Sequence, residues 1–146
     1  MVELKASGTE TMSQSFAGDV YNSAVYLKRC FSQISASMVT AIGQDSLSNR
    51  MLDKFQDEAI DTQFVFRHSN KAPGIYLIET DASGERFFTY WRNDSAARKV
   101  IKFIDSDVVS KLSTGDMFFF SGISLAVIEA GDRERLWQTL EILRHA

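Results

Sequence analysis

Two tyrosines and an arginine, Tyr76, Tyr90 and Arg92, carry the groups best suited to gripping a ligand that is both acidic and hydroxylated. An arginine fork matches a carboxylate, and tyrosine hydroxyls match carbonyl and hydroxyl oxygens. The bland alternative is aromatic packing across two strands beside a solvated arginine, which any hairpin could show. The local sequence favours convergence. Residues 75–80 and 86–92 are apolar-rich runs on either side of a turn cluster ending in Ser83-Gly84, a short-range hairpin signal. With 81–85 as the loop, Thr80 pairs with Arg86, Ile78 with Phe88 and Tyr76 with Tyr90. Cross-strand partners share a face, and Arg92 lies two residues further along it. Ile75, Leu77, Phe87 and Trp91 take the other face. Both faces are too apolar for water, so one is expected to bind something and the other to pack on a core or a second subunit.

A second set is Gly18, Asp19 and Asn22, at the start of a helix. Glycine lets backbone approach a ligand closely, and Asp and Asn offer acceptors and a donor for hydroxyl groups. Asp19 is equally suited to capping that helix. Cys30 reads as a buried small hydrophobe with no partner for nucleophilic chemistry. Glu79, Asp81, Glu85 and Asp94 read as a solvated hairpin tip rather than a metal cluster. Two histidines, His68 and His145, with no clustered cysteines argue against a structural zinc site.

The elements that must hold these residues alternate. Val20, Ala24, Leu27, Phe31 and Ile34 recur at helical spacing and predict a helix over 20–33 capped by Asp19. Residues 37–42 read as a short buried strand ended by Gly43. A second helix follows, capped by Asp45 or Ser46, with Leu47, Met51 and Phe55 on one face. Residues 61–67 alternate like a strand and lead to the hairpin. Residues 95–113 look helical with a break near Asp105. The unbroken apolar run 117–123 is expected to be a parallel strand covered on both faces, with Phe118 to Phe120 in the core. A final helix begins near Asp132 and places Leu136, Leu140 and Leu143 on one side. The expected fold is a parallel α/β core with helices and a β appendage.

At 146 residues and 45% hydrophobic, the chain is the size of one domain with a reasonable core. Net charge is −3, so no overall positive field favours nucleic acid or an anionic membrane. No apolar stretch approaches a bilayer span, and the first residues lack the layout of a signal peptide. A single cysteine fits a reducing cytoplasm.

Four stretches carry a family resemblance: Phe16 to Leu27 with its Gly18-Asp19, Val39 to Ser46 with its Gly43-Gln44-Asp45, the hairpin with its Pro73-Gly74-Ile75-Tyr76 start and Tyr90-Trp91-Arg92 end, and Phe120 to Ala126. In that order they resemble the ribokinase-like (PfkB) sugar kinases, most closely the branch acting on 2-keto-3-deoxygluconate. Ala17 departs from the glycine usual in the first motif. The resemblance implies a partial ribokinase-like fold: a parallel sheet with covering helices, residues 18–57 and 94–146 as core, and 1–17 and 58–93 as β-lid strands. It implies sugar binding at Gly18, Asp19 and Asn22, and substrate contact at Tyr76, Tyr90 and Arg92. It further implies ATP and Mg2+ as cofactors of the full-length enzyme, a small-molecule sugar acid as its partner, and a homo-oligomer formed through the β-lid.

The resemblance covers the N-terminal half of such an enzyme. The family's opening strand precedes the segment matching Met1 to Leu4, and its Gly-Ala-Gly-Asp motif, which supplies the base and the anion hole, lies beyond residue 146. Gly115-Asp116 and Gly131-Asp132 lack the preceding Gly-Ala. The chain is therefore expected to hold no catalytic residue, to bind no nucleotide or metal, and to be inactive alone. Rival readings are a kinase for fructose, ribose or a nucleoside, a non-catalytic module that self-associates through the lid, and an unrelated small α/β protein. Unpaired strand edges and apolar surface predict self-association in solution. Light scattering should find oligomers or aggregates, whereas a monodisperse monomer with sharp cooperative unfolding contradicts that expectation.

Overall fold

The computed structural model describes residues 1–8 and 10–144. Among the described residues six strands and five α-helices build two packed halves. β1 (Val2–Ala6), β2 (Met12–Phe16), β5 (Ile75–Thr80) and β6 (Arg86–Trp91) form a four-stranded sheet in the order β2-β1-β5-β6. β1 runs antiparallel to β2 and parallel to β5, and β5 and β6 form the expected hairpin. Its register is the predicted one: Tyr76 opposite Tyr90, Ile78 opposite Phe88, Thr80 opposite Arg86. Asp81 closes the loop by accepting hydrogen bonds from the amides of Ser83 and Glu85, both at 2.9 Å, and from the Ser83 hydroxyl at 2.7 Å.

The core half holds a two-stranded parallel sheet, β3 (Thr40–Ile42) and β4 (Val65–Arg67), with Ser37 and Asp61 bridged ahead of them. Both strands are shorter than the alternation implies. β4, grouped in sequence with the 58–93 insertion, pairs instead with β3. Helix α1 (Asp19–Cys30) and helix α2 (Ser46–Asp57) cover one side. Their inward residues Val25, Met51 and Phe55 join Val2, Met38, Ile42, Ile60 and Val65 in one buried cluster, on which Leu4, Phe16 and Ile75 of the sheet also pack. A second cluster gathers Ile101, Ile104 and Ile128 under Val39 and Phe66. It is built by a 3-10 stretch (Ala96–Phe103), helix α3 (Ser106–Leu112), helix α4 (Gly122–Val127) and helix α5 (Arg133–Arg144). The break expected near Asp105 is real, because Asp105 caps α3 by accepting from the Val108 amide at 2.9 Å.

Several expectations fail. The run 117–123 is not a strand: residues 117–120 have no ladder partner among the described residues, and 122–127 is helical. A strand exists only where a neighbour accepts its hydrogen bonds, and apolar content cannot supply that neighbour. Met117 is 75% exposed and Phe119 58%, so Phe118 to Phe120 do not form a core strand. Asp19 is not the cap of α1; Gly18 holds that position and Asp19 is the first helical residue. The helix ends at Cys30, which leaves Phe31 and Ile34 exposed and puts Cys30 at the solvent end rather than in the core. All six residues of β6 are exposed, so neither face of that strand is covered. His145 lies outside the described residues.

Helix α2 starts on Asp45, whose carboxylate accepts from the Ser48 amide at 2.9 Å and from the buried Ser48 hydroxyl at 2.7 Å. Burial raises its pKa, but the Ser48 hydroxyl and nearby amides outweigh that and hold the carboxyl below its ordinary range. The folded form thus prefers the ion, so this stabilisation is present above the unfolded Asp pKa of about 3.9 and is lost as pH falls through the lower folded value. Asp45→Ala should cost about 1–2 kcal/mol at pH 7 in urea unfolding, with a smaller penalty below about pH 4. An unchanged midpoint at neutral pH contradicts the capping role.

Candidate functional site

The hairpin register decides which side chains meet. On one face of the four-stranded sheet the Tyr76 and Tyr90 rings lie 6.0 Å apart, and Phe88 completes the group at 6.3 Å from Tyr76. Arg92, just past the end of β6, places its guanidinium carbon 4.3 Å from the centre of the Tyr90 ring. Such a cation–π contact stabilises by roughly 0.5–1 kcal/mol at an exposed site and fixes where the fork sits. Tyr76 is buried at 8% exposure, whereas Tyr90 is 46% exposed and available. Aromatic packing and a convergent polar group therefore coexist here.

Arg92 also lines a cavity of about 290 Å³, together with Gly18, Asp19 and Gly74. The far wall is apolar and includes Ala41, Ile101 and Phe118. The loop before α1 and the end of β6 thus meet at one opening. Gly18 adopts φ 140°, a conformation an L side chain resists, and an added Cβ would find nothing nearer than 3.9 Å. Its carbonyl accepts the Asn22 amide at 2.8 Å, which starts the helix. Asn22 sits one turn further on and is exposed. Gly18, Asp19 and Arg92 are brought together at the cavity, Tyr76 and Tyr90 adjoin them through Arg92, and Asn22 lies off the cavity wall.

Two neighbours escaped the sequence reading. Gly74 touches the end of β6 so closely that an added Cβ would fall 2.9 Å from the Arg92 Cβ. The Pro73-Gly74 pair is a visible sequence signal, though it does not say which residue lies opposite. Glu3 accepts a hydrogen bond from the Tyr76 hydroxyl, and its other oxygen accepts from the Ser15 hydroxyl at 3.1 Å. No local signal reveals that contact, because it depends on the parallel register of β1 against β5. Burial first, then the bond to Glu3 and its charge, push the Tyr76 phenol far above its ordinary pKa. The hydroxyl therefore stays protonated and donates to Glu3.

Of the four acids expected at a solvated hairpin tip, Asp81 holds the loop, and Asp94, past the end of β6, pairs with Lys71. Among the described residues no three His, Cys, Asp or Glu side chains gather as a metal site, and the cavity is walled mainly by hydrocarbon. The groups present suit binding and orientation of a small polar ligand at the cavity mouth. No chemical step is assigned to Mg2+ or a nucleotide in this chain.

Comparison with known proteins makes the class of this mixed α/β chain specific. The profile of the pfkB family carbohydrate kinases matches residues 3–146, and the chain belongs to that family. It is 42% identical to the 2-dehydro-3-deoxygluconokinase of Dickeya dadantii over 147 residues, covering 99% of this chain and 47% of that protein. It is also 42% identical to the enzyme of the same name from Haemophilus influenzae, over 98% of this chain and 46% of the relative. Among solved structures, a PfkB protein from Polaromonas sp. superposes with TM-score 0.85 at 21% identity, covering 99% of this chain and 49% of that one. The 2-dehydro-3-deoxygluconokinase of Thermotoga maritima superposes with TM-score 0.84 at 21% identity, over 99% and 45%. The chain spans about half the length of the curated relatives it matches. The family and the ribokinase-like fold expected from the motifs are those found.

Gly74→Ala should drive the added methyl into Arg92 and cost about 1–3 kcal/mol, read as a lower urea midpoint. An unchanged midpoint shows that the end of β6 is not pinned there.

Proposed function

We propose that this chain is the sugar-recognition half of a 2-keto-3-deoxygluconate kinase. The observation that carries the reading is the shared face of Tyr76 and Tyr90, with Arg92 standing between that face and the cavity lined by Gly18 and Asp19. A 2-keto-3-deoxy sugar acid carries a carboxylate, a carbonyl and hydroxyls together, which are the groups that an arginine fork and phenols accommodate. In this reading Arg92 takes the carboxylate, Tyr76 accepts from a ligand hydroxyl, Tyr90 meets a carbonyl or hydroxyl oxygen, and Gly18, Asp19 and Asn22 take the remaining hydroxyls. The names of the relatives at 42% identity support that choice of substrate.

The role assigned to the chain is orientation and exclusion of water rather than proton transfer. Residues 1–17 with the hairpin form the lid, and 18–57 with 94–146 the core. The complete enzyme would transfer the γ-phosphoryl group of ATP with Mg2+, in a cytoplasmic setting, using groups that this chain does not itself supply. A related sugar kinase from Pyrococcus horikoshii was solved in complex with ATP, consistent with nucleotide use in the fold. Among the described residues no helix is long and apolar enough to cross a membrane. Phe87 and Trp91, exposed on the opposite face of β6, favour pairing of two lids as an accompanying property.

Calorimetric titration of the purified chain with 2-keto-3-deoxygluconate tests the reading. Arg92→Ala should weaken binding about 10- to 100-fold, as expected for losing a hydrogen bond to a charged group, while leaving the far-UV circular dichroism intact. Binding of fructose or ribose should be weaker than that of the acid and indifferent to Arg92. Equal affinity for acid and neutral sugar, or none for either, contradicts it.

A further inference from the structure

Glu3 belongs to no motif of the sequence and lies off the cavity wall, yet it is tied to the site by register. β2 sets Ser15 opposite Glu3, β5 sets Tyr76 opposite Glu3, and β6 sets Tyr90 opposite Tyr76. One polar row, Ser15, Glu3, Tyr76, Tyr90, therefore crosses all four strands. Both oxygens of Glu3 are engaged, one by the Ser15 hydroxyl at 3.1 Å and the other by the Tyr76 hydroxyl. The carboxylate is thus held in one orientation by neighbours on either side.

A phenol has one proton to give. Since the Tyr76 proton is committed to Glu3, the same hydroxyl can offer a ligand only its lone pairs. It can receive a bond from a sugar hydroxyl and cannot donate one to a carboxylate. The negative charge of Glu3 behind it opposes a second anion at the same place, in surroundings where Coulomb terms are less screened than in water. At the other end, Arg92 offers donors only. The row is consequently polar in direction, accepting at the Glu3–Tyr76 end and donating at the Arg92 end.

We propose that Glu3 is a specificity-determining positioning residue of this site: by fixing Tyr76 as an acceptor it reserves that end for a ligand hydroxyl, directs a single carboxylate to Arg92, and rejects acids carrying a carboxylate at both ends. The inference rests on the sugar-acid reading above and adds a rule to it, namely monocarboxylate over dicarboxylate. Tyr90 and Glu3 are the titratable groups whose charge reaches the Tyr76 phenol. Of these, Glu3 alone accepts the Tyr76 proton.

The test titrates the purified chain with 2-keto-3-deoxygluconate and with the dicarboxylate 2-keto-3-deoxyglucarate. The wild type should favour the monocarboxylate by about tenfold or more, the discrimination expected from one added repulsive charge contact. Glu3→Ala should collapse that preference toward equality by gaining affinity for the dicarboxylate. Glu3→Gln, which can still accept the Tyr76 proton but carries no charge, should retain the affinity for the monocarboxylate and lie between the two in preference. A purely structural role for Glu3 would weaken both acids together and leave their ratio unchanged, and that outcome overturns the proposal. A readout without ligand guards against loss of fold: alkaline absorbance titration should show the Tyr76 phenol, identified by its disappearance in Tyr76→Phe, ionising at lower pH in Glu3→Ala than in the wild type. No change there also overturns it. Failure of the wild type to bind either acid, with the phenol shift intact, instead removes the sugar-acid reading and the specificity rule with it.

Discussion

The parallel pairing of β1 with β5 is the constraint on which the rest of the site depends. A hairpin alone is marginal in water, and β6 is exposed along its whole length. What holds the hairpin is β1, which donates its own edge to β5 and anchors the sheet through Val2, buried at 1% exposure in the main core cluster. Because side chains alternate along a strand, a slip of one residue in this pairing would turn Glu3 to the other face and leave Tyr76 without its acceptor. Register, rather than the strength of any one contact, brings the polar row together.

The cavity depends on a second junction. Gly18 and Asp19 come from the loop entering α1, and Arg92 from the segment leaving β6, so the opening lies where the sheet meets the helical half. Gly74 makes the approach possible, since its missing Cβ leaves room for the Arg92 backbone and side-chain stem. Across the cavity, Ala41 of β3 and Phe118 supply an apolar wall, and the edge of β3 away from β4 faces no strand among the described residues. Polar groups therefore stand at the mouth with hydrocarbon behind them.

Local order was legible in the sequence and long-range order was not. The hairpin could be read to the residue because a five-residue loop between two apolar-rich runs fixes both register and face, and the cap of α2 could be narrowed to Asp45 or Ser46, of which Asp45 takes the role, because capping is a contact within one turn. The stretch from 95 to 113 is helical as expected and breaks at Asp105, though its first part winds as a 3-10 helix. The run 117–120 misled because apolar content predicts burial, while strand formation requires a partner that composition does not reveal. Cys30 misled for a related reason: helical spacing continued past the residue where the helix ends. In the site, Tyr76, Tyr90 and Arg92 were visible as one face, whereas Glu3 became visible only when a strand 73 residues away in sequence came to lie beside Tyr76.

The central claim is that the sheet face and the cavity mouth form one acid-recognising site, and a crystal structure of the chain grown with 2-keto-3-deoxygluconate addresses it most directly. The account predicts the ligand carboxylate on the Arg92 guanidinium, a ligand hydroxyl directed at Tyr76, and Gly18 and Asp19 within reach of the remaining oxygens. A ligand seated elsewhere, or a carboxylate lying against Tyr76 and Glu3 with Arg92 turned away, contradicts it.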